Sequence, residues 1–68
     1  MIHIGNLIKT EFYRQGRSVS WLAEQLHCDR TNVYDIFQRE SIDTTLLRKI
    51  SILLQHDFFK DYSKEIHL

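Results

Sequence analysis

Apolar residues recur at helical spacing along most of the chain. The first stretch predicts a helix over residues 4–15, and its apolar positions are Ile4, Leu7, Ile8 and Phe12. Gly16 follows this helix and can adopt the left-handed geometry that ends one. A later stretch has the wide apolar face typical of a central core helix, formed by Leu46, Leu47, Ile50, Leu53 and Leu54.

Residues 19–38 combine two short helical patterns with a tight polar turn between them. Ser18 is a good N-cap for the second helix, which continues to about Leu26, and Asp29 is a good N-cap for the third. Ala23 is small enough to let a crossing helix approach closely. Cys28 is expected to fill the turn as a small, reduced, buried apolar group. The buried positions of these two helices are expected to be Leu22, Ala23, Leu26, Val33, Ile36 and Phe37.

Two further N-cap residues predict helices in the second half of the chain. Asp43 would cap the fourth helix, with Ile42 packed against Leu47 as a hydrophobic staple. Asp57 would start a short fifth helix, whose inward positions are Phe58, Phe59 and Tyr62, with Ile66 as a further candidate. We therefore expect an all-α fold, a compact bundle of about five short helices in a single domain over residues 1–68.

Composition agrees with a small helical bundle. The chain has 68 residues, 43% of them apolar, with no proline and two glycines. One cysteine cannot form an internal disulfide, so packing must stabilise the fold. Nothing resembles a signal peptide or a membrane span, and we expect a cytoplasmic location without a membrane partner.

The residues that carry a resemblance lie between positions 19 and 38. The apolar and small residues at its core positions are Leu22, Ala23, Leu26, Cys28, Val33 and Ile36. With this pattern the chain resembles the lambda-repressor and Cro type of helix-turn-helix DNA-binding domain, the Xre family. It looks especially like short standalone bacterial members, and the likeness extends from about Ile4 to Tyr62. The resemblance implies a transcriptional regulator, typically a repressor, that inserts a recognition helix over residues 30–38 into the DNA major groove. Two positions depart from the family: His27 stands where a positive φ commonly selects glycine, and Val19 stands where glutamine often contacts a phosphate.

The third helix has a polar side that could contact DNA bases. At 100° per residue, Val33, Ile36 and Phe37 fall on one side, and the opposite side carries Thr31, Tyr34, Asp35 and Gln38. Arg30 could donate two hydrogen bonds to guanine, Thr31 could meet a thymine methyl or a phosphate, and Asp35 could accept from cytosine. The resemblance places the base-contacting positions on these three residues, with Tyr34 and Gln38 adjacent. The candidate phosphate contacts are Arg17, Ser18, Asn32, Arg39 and Ser41.

Each of these assignments has a simpler structural alternative. Asp35 and Arg39 are four residues apart and could pair with each other, and Thr31 and Asn32 could satisfy local amides. Nine basic and nine acidic residues give a net charge of zero, which predicts weak, salt-sensitive DNA binding by one subunit. The same neutrality motivates a second hypothesis, a protein-interaction module such as an antitoxin or accessory subunit that keeps the helix-turn-helix fold.

Two aromatic features admit two interpretations each, and the histidines and the cysteine do not indicate a catalytic or metal site. The C-terminal aromatic segment could form a homodimer interface or complete the core of the monomer. Trp21 could close the core against the C-terminal helix or serve as an exposed anchor. His27, Cys28 and Asp29 are consecutive, so they cannot readily align as nucleophile, base and orienting acid. One cysteine does not make a zinc site, and the four histidines lack paired ligand spacing; they are His3, His27, His56 and His67. We expect neither enzyme activity nor a cofactor.

Overall fold

The computed structural model describes residues 1–66 and contains five helices. Their bounds are α1, Ile4–Arg14; α2, Val19–Gln25; α3, Arg30–Phe37; α4, Thr44–Leu54; and α5, Phe58–Glu65. No strand occurs in this part of the chain. The predicted all-α fold is confirmed, with α1 and α3 each ending one residue before the predicted end.

Side chains predicted as N-caps begin most of the helices. Ser18 Oγ and the Asp43 carboxylate each accept a hydrogen bond from the amide three residues later, at 3.1 and 2.8 Å. Asp57 accepts from two amides of the first turn of α5. Asp29 occupies the N-cap position of α3 with an extended backbone, but its side chain makes no capping bond, so that detail of the prediction is wrong. His3 Nδ1 caps α1, a role that the sequence did not suggest.

Left-handed backbone conformations separate the helices. Gly16 has a φ of 70° after α1, as predicted from its position. His27 has a φ of 54° in the turn between α2 and α3, and Gln55 has a φ of 52° after α4. A residue with a Cβ pays a steric cost in this region. His27 therefore adopts the positive φ expected at this position, although its side chain has a Cβ.

All five helices contribute to one apolar core. Its buried residues are Ile4, Ile8, Phe12, Leu22, Ala23, Val33, Ile36, Phe37, Leu47, Ile50, Leu54 and Phe58. Leu26, Leu46, Leu53 and Tyr62 are partly buried and pack against it. Most of the predicted core positions are thus confirmed.

Three positions that were predicted to be buried are more exposed in the structure. Phe59 is 39% exposed because it follows the fully buried Phe58 and points about 100° away from it around α5. Ile66 is 65% exposed because it lies past the last residue of α5, where the inward face has ended. Cys28 is half-buried, since it lines an open groove beside Asn32 and Arg39.

The helices α1 and α3 approach each other at Gly5. The Gly5 amide donates a hydrogen bond to the Arg39 carbonyl oxygen at 2.9 Å. A Cβ added at Gly5 would lie 2.6 Å from the Ile36 carbonyl oxygen and still closer to that of Phe37. Only glycine permits this contact, which fixes α1 against the C-terminal end of α3.

A polar cluster joins α1 to the turn between α4 and α5. Gln15 donates to the Leu54 carbonyl oxygen and to Glu11, in both cases at 2.6 Å. His56 Nε2 lies 3.0 Å from the Asp61 carboxylate, and its Nδ1 lies 3.9 Å from Glu11. Hydrogen bonds from the Arg14 guanidinium and from Gln15 lower the pKa of Glu11 to about 2. The cluster therefore holds the Glu11 carboxylate ionised between α1 and the C-terminal segment.

Candidate nucleic-acid interface

The helix α3 separates its apolar and polar residues onto opposite sides. Its buried side, made of Val33, Ile36 and Phe37, is at most 4% exposed. The outward side is exposed and carries the predicted residues Thr31, Tyr34, Asp35 and Gln38. Arg30 and Asn32 lie on its flanks and are also exposed. We call the six exposed residues together the α3 face.

The first residues of the α3 face have side chains without a local partner. Arg30 forms no ion pair or side-chain hydrogen bond with the rest of residues 1–66, and neither do the side chains of Thr31 and Asn32. Within this range, Thr31 and Asn32 therefore do not use their side chains to bond to local amides, which was the alternative interpretation. These donors and acceptors are accessible to a ligand at the start of the helix.

Asp35 and Arg39 form the ion pair that their spacing allows. The Asp35 carboxylate accepts from Arg39 Nε at 3.2 Å and from Nη2 at 3.0 Å. The two side chains are 62% and 42% exposed, so solvent screens the pair and limits its contribution to stability to about 0–1 kcal/mol. A pair this weak can separate when a stronger partner for either group arrives.

The start of α2 holds a positioned guanidinium. Arg17 Cζ lies 4.3 Å from the centre of the Trp21 ring, and its Nε donates weakly to Gln15 at 3.4 Å. The same Trp21 is half-buried and packs against the core. Stacking on an aromatic face restrains the arginine while leaving it exposed beside Ser18. The spacing of four residues between Arg17 and Trp21 is the sequence signal for this stack.

The candidate phosphate contacts are divided among three places. Arg17 and Ser18 precede α2, Asn32 lies on α3, and Arg39 and Ser41 lie in the connection between α3 and α4. All five are exposed. The Ser18 hydroxyl already accepts from the Trp21 amide, which leaves its hydroxyl proton for another acceptor.

A groove between α1 and α3 adjoins the α3 face and was not predicted. Its volume is about 360 Å³, and it is lined by His3, Asn6, Lys9, Tyr13, Tyr34, Phe37 and Gln38. Tyr34 and Gln38 thus belong both to the groove and to the α3 face. Residues from two separate helices meet here, and helical periodicity within each one carries no signal for their meeting.

Comparison of the chain with protein-family models, with curated proteins and with solved structures finds no match. Among residues 1–66, no three His, Cys, Asp or Glu side chains come together in a way that could hold a metal ion, and His67 lies outside the described residues. None of the helices in that range is long and apolar enough to cross a bilayer.

Proposed function

We propose that the protein is a sequence-specific regulator of transcription, acting as a repressor, that binds double-stranded DNA by placing α3 in the major groove. The observation that supports this most is the division of α3 into a buried side and an exposed polar side. Buried Val33, Ile36 and Phe37 fix the helix on the core, and its opposite side remains accessible. The major groove of B-DNA admits an α-helix and displays a distinct pattern of donors and acceptors for each base pair.

The first turn of α3 supplies the strongest base contacts in this proposal. Arg30 has an exposed guanidinium fork that fits the O6 and N7 acceptors of guanine. Thr31 can place its methyl group against thymine, and Asp35 can accept from the cytosine amino group once Arg39 leaves it. Tyr34 and Gln38 extend the contact by one further turn, where the Gln38 amide matches adenine.

Separation of the Asp35–Arg39 pair connects base contact with phosphate contact. A DNA phosphate offers Arg39 a charged acceptor in place of the Asp35 carboxylate. After this exchange the Asp35 carboxylate can bind a base and the Arg39 guanidinium binds a DNA phosphate, so both groups remain paired. The phosphate contacts at the other side of the motif come from Arg17 and Ser18, with Asn32 and Ser41 as weaker contributors.

A homodimer would give this small domain enough specificity. One recognition helix contacts few base pairs, whereas two α3 helices about 34 Å apart would occupy successive major grooves. The C-terminal helices are our candidate interface, because Phe59 and Ile66 are exposed there while Phe58 belongs to the core of the monomer. Burial of such apolar side chains between subunits would be favourable.

The salt dependence of binding to random-sequence duplex DNA tests the proposal. Fluorescence anisotropy should give a log–log slope that corresponds to several released counterions. Arg17→Ala should reduce this slope by about one. Lys49→Ala removes an exposed cation of α4, outside the assigned DNA contacts and outside the α5 residues of the candidate interface, and should leave the slope unchanged.

The second candidate function is the protein-interaction module, an antitoxin or accessory subunit. Two features favour it: the acidic Asp35 on the α3 face, and the exposure of Ile52 at 61% on α4. An absence of duplex binding at low salt would refute DNA recognition and leave this module as the better proposal.

A further inference from the structure

The groove between α1 and α3 has the chemistry of a small-molecule site. We propose that it binds a nucleotide, meaning a planar base that carries a phosphate, either free or within a single strand. Its volume of about 360 Å³ lies within the roughly 300–1,000 Å³ typical of ligand pockets. This function is additional to duplex binding, and the groove contains residues that no base or phosphate contact above requires.

Three aromatic rings form the apolar part of the groove. Tyr13 and Tyr34 each lie beside Phe37, with ring centres 6.0 and 6.4 Å from it. Phe37 is 4% exposed and lies at the base, whereas each tyrosine is half-exposed and can present a ring surface to a ligand. Stacking on such rings is a common way to hold a nucleic-acid base, and it tolerates any base because each has a π-face.

Polar groups around these rings favour a negatively charged ligand. Lys9 brings a positive charge, and no carboxylate is among the lining residues that the structure describes within 1–66. His3 Nδ1 accepts the Asn6 amide proton at 3.1 Å, so the neutral imidazole carries its own proton on Nε2 as a donor. An aromatic surface alone would also attract an organic cation. The Lys9 charge disfavours that ligand and favours a phosphate.

Two side-chain amides in the groove can form hydrogen bonds with the base of a nucleotide. Asn6 and Gln38 each offer a donor and an acceptor, which match the edge of a base. Gln38 and Tyr34 also belong to the α3 face. If the proposed function is correct, a nucleotide in the groove and a DNA duplex on α3 would compete for these two residues, and the nucleotide would act as an effector. The competition rests on the proposed function, whereas nucleotide binding itself does not.

Titration of the ¹⁵N-labelled protein with adenosine 5′-monophosphate tests the proposal. We expect saturable amide shifts confined to residues 3–13 and 34–38, with a Kd of about 1 mM or tighter. Adenosine and inorganic phosphate each supply half of the ligand and should bind at least about tenfold more weakly. A short oligodeoxyadenylate distinguishes the two sources, because a strand-binding site would prefer it to the free nucleotide.

Variants locate the binding within the groove. Tyr34→Ala and Lys9→Ala change exposed side chains and should each raise the Kd about fivefold or more, while amide signals of α4 and α5 stay in place. Lys60→Ala is the matched control and should bind as the wild type does. Shifts that do not saturate, that spread over the whole surface, or that persist unchanged in both groove variants would overturn the proposal. Duplex binding by the wild type and by Lys9→Ala separates the two proposals, because Lys9 lines the groove and lies outside the α3 face.

Discussion

Substitution of Gly5 by alanine should destabilise the protein, although alanine is the better helix former. Gly5 lies in the first turn of α1, and its φ is not left-handed. At an open helical position, Gly→Ala stabilises by roughly 0.5–1 kcal/mol. At Gly5, the new Cβ would lie 2.6 Å from the Ile36 carbonyl oxygen and would also meet the backbone of Phe37. The sign of the effect therefore depends on how closely α1 and α3 pack.

The expected magnitude follows from the groups that must move. Overpacking of a core contact costs about 1–3 kcal/mol, and the upper part of this range applies because the clash is with backbone rather than with a flexible side chain. Separation of the helices would also weaken the 2.9 Å hydrogen bond from Gly5 to Arg39, which contributes about 1 kcal/mol. After the gain in helix propensity is subtracted, we expect a net loss of about 2–3 kcal/mol, or roughly 8–24 °C in Tm.

Thermal and urea denaturation followed by circular dichroism measures this loss. Gly16→Ala is the informative control, because a Cβ there meets no atom of residues 1–66 within 4 Å and the expected cost comes from its φ of 70°. That variant should lose about 1–2 kcal/mol. A Gly5→Ala protein as stable as the wild type would refute the close approach of α1 and α3, and with it the geometry of the groove.

Three further predictions concern the core, the polar cluster and the α3 face. Ala23→Leu should lower the free energy of unfolding by about 1–3 kcal/mol in urea titrations, since Ala23 is 5% exposed within the core; an unchanged midpoint would contradict this packing. Glu11 has its pKa lowered from 4.5 to about 2, chiefly by Arg14, so its contribution to stability is present above pH 4.5 and is lost as the pH falls toward 2. Glu11→Gln should therefore lose less stability than the wild type over that range in melts at a series of pH values, and parallel curves would argue against the effect. Arg30→Ala should weaken binding to a cognate duplex by about 1–3 kcal/mol and relax the preference at one base pair in anisotropy titrations. An equal loss for cognate and random duplexes would remove the assigned base contact.

Local patterns in the sequence were sufficient to predict the helices. Ser18, Asp43 and Asp57 cap as expected because an N-cap bond involves only the next three residues. Periodicity likewise assigned most of the core, since burial follows the side of each helix. It failed at Phe59, where the short α5 buries one of two adjacent aromatic rings and leaves the other partly exposed.

Contacts between helices could not be predicted in the same way. The approach of Gly5 to the end of α3 depends on an interhelical angle that no single-helix pattern contains. The groove bounded by Tyr13 and Tyr34 arises from this approach. The exposed side of α3 was predictable from 100° per residue, but the spacing of Asp35 and Arg39 was compatible with both pairing and DNA contact. The structure contains the pair, with Arg39 Nη2 3.0 Å from the Asp35 carboxylate.

Selection from a random duplex pool tests the central claim most directly, because it asks whether the α3 face discriminates among base sequences. The account predicts enrichment of a short motif, arranged as an inverted repeat with half-sites about 34 Å apart if the protein dimerises through α5. Thr31→Ala and Arg30→Ala should alter the enriched bases, whereas Lys49→Ala, which removes an exposed cation of α4 outside the assigned contacts, should enrich the same motif as the wild type. A pool that stays random through repeated rounds at low salt would contradict sequence-specific DNA recognition by this protein.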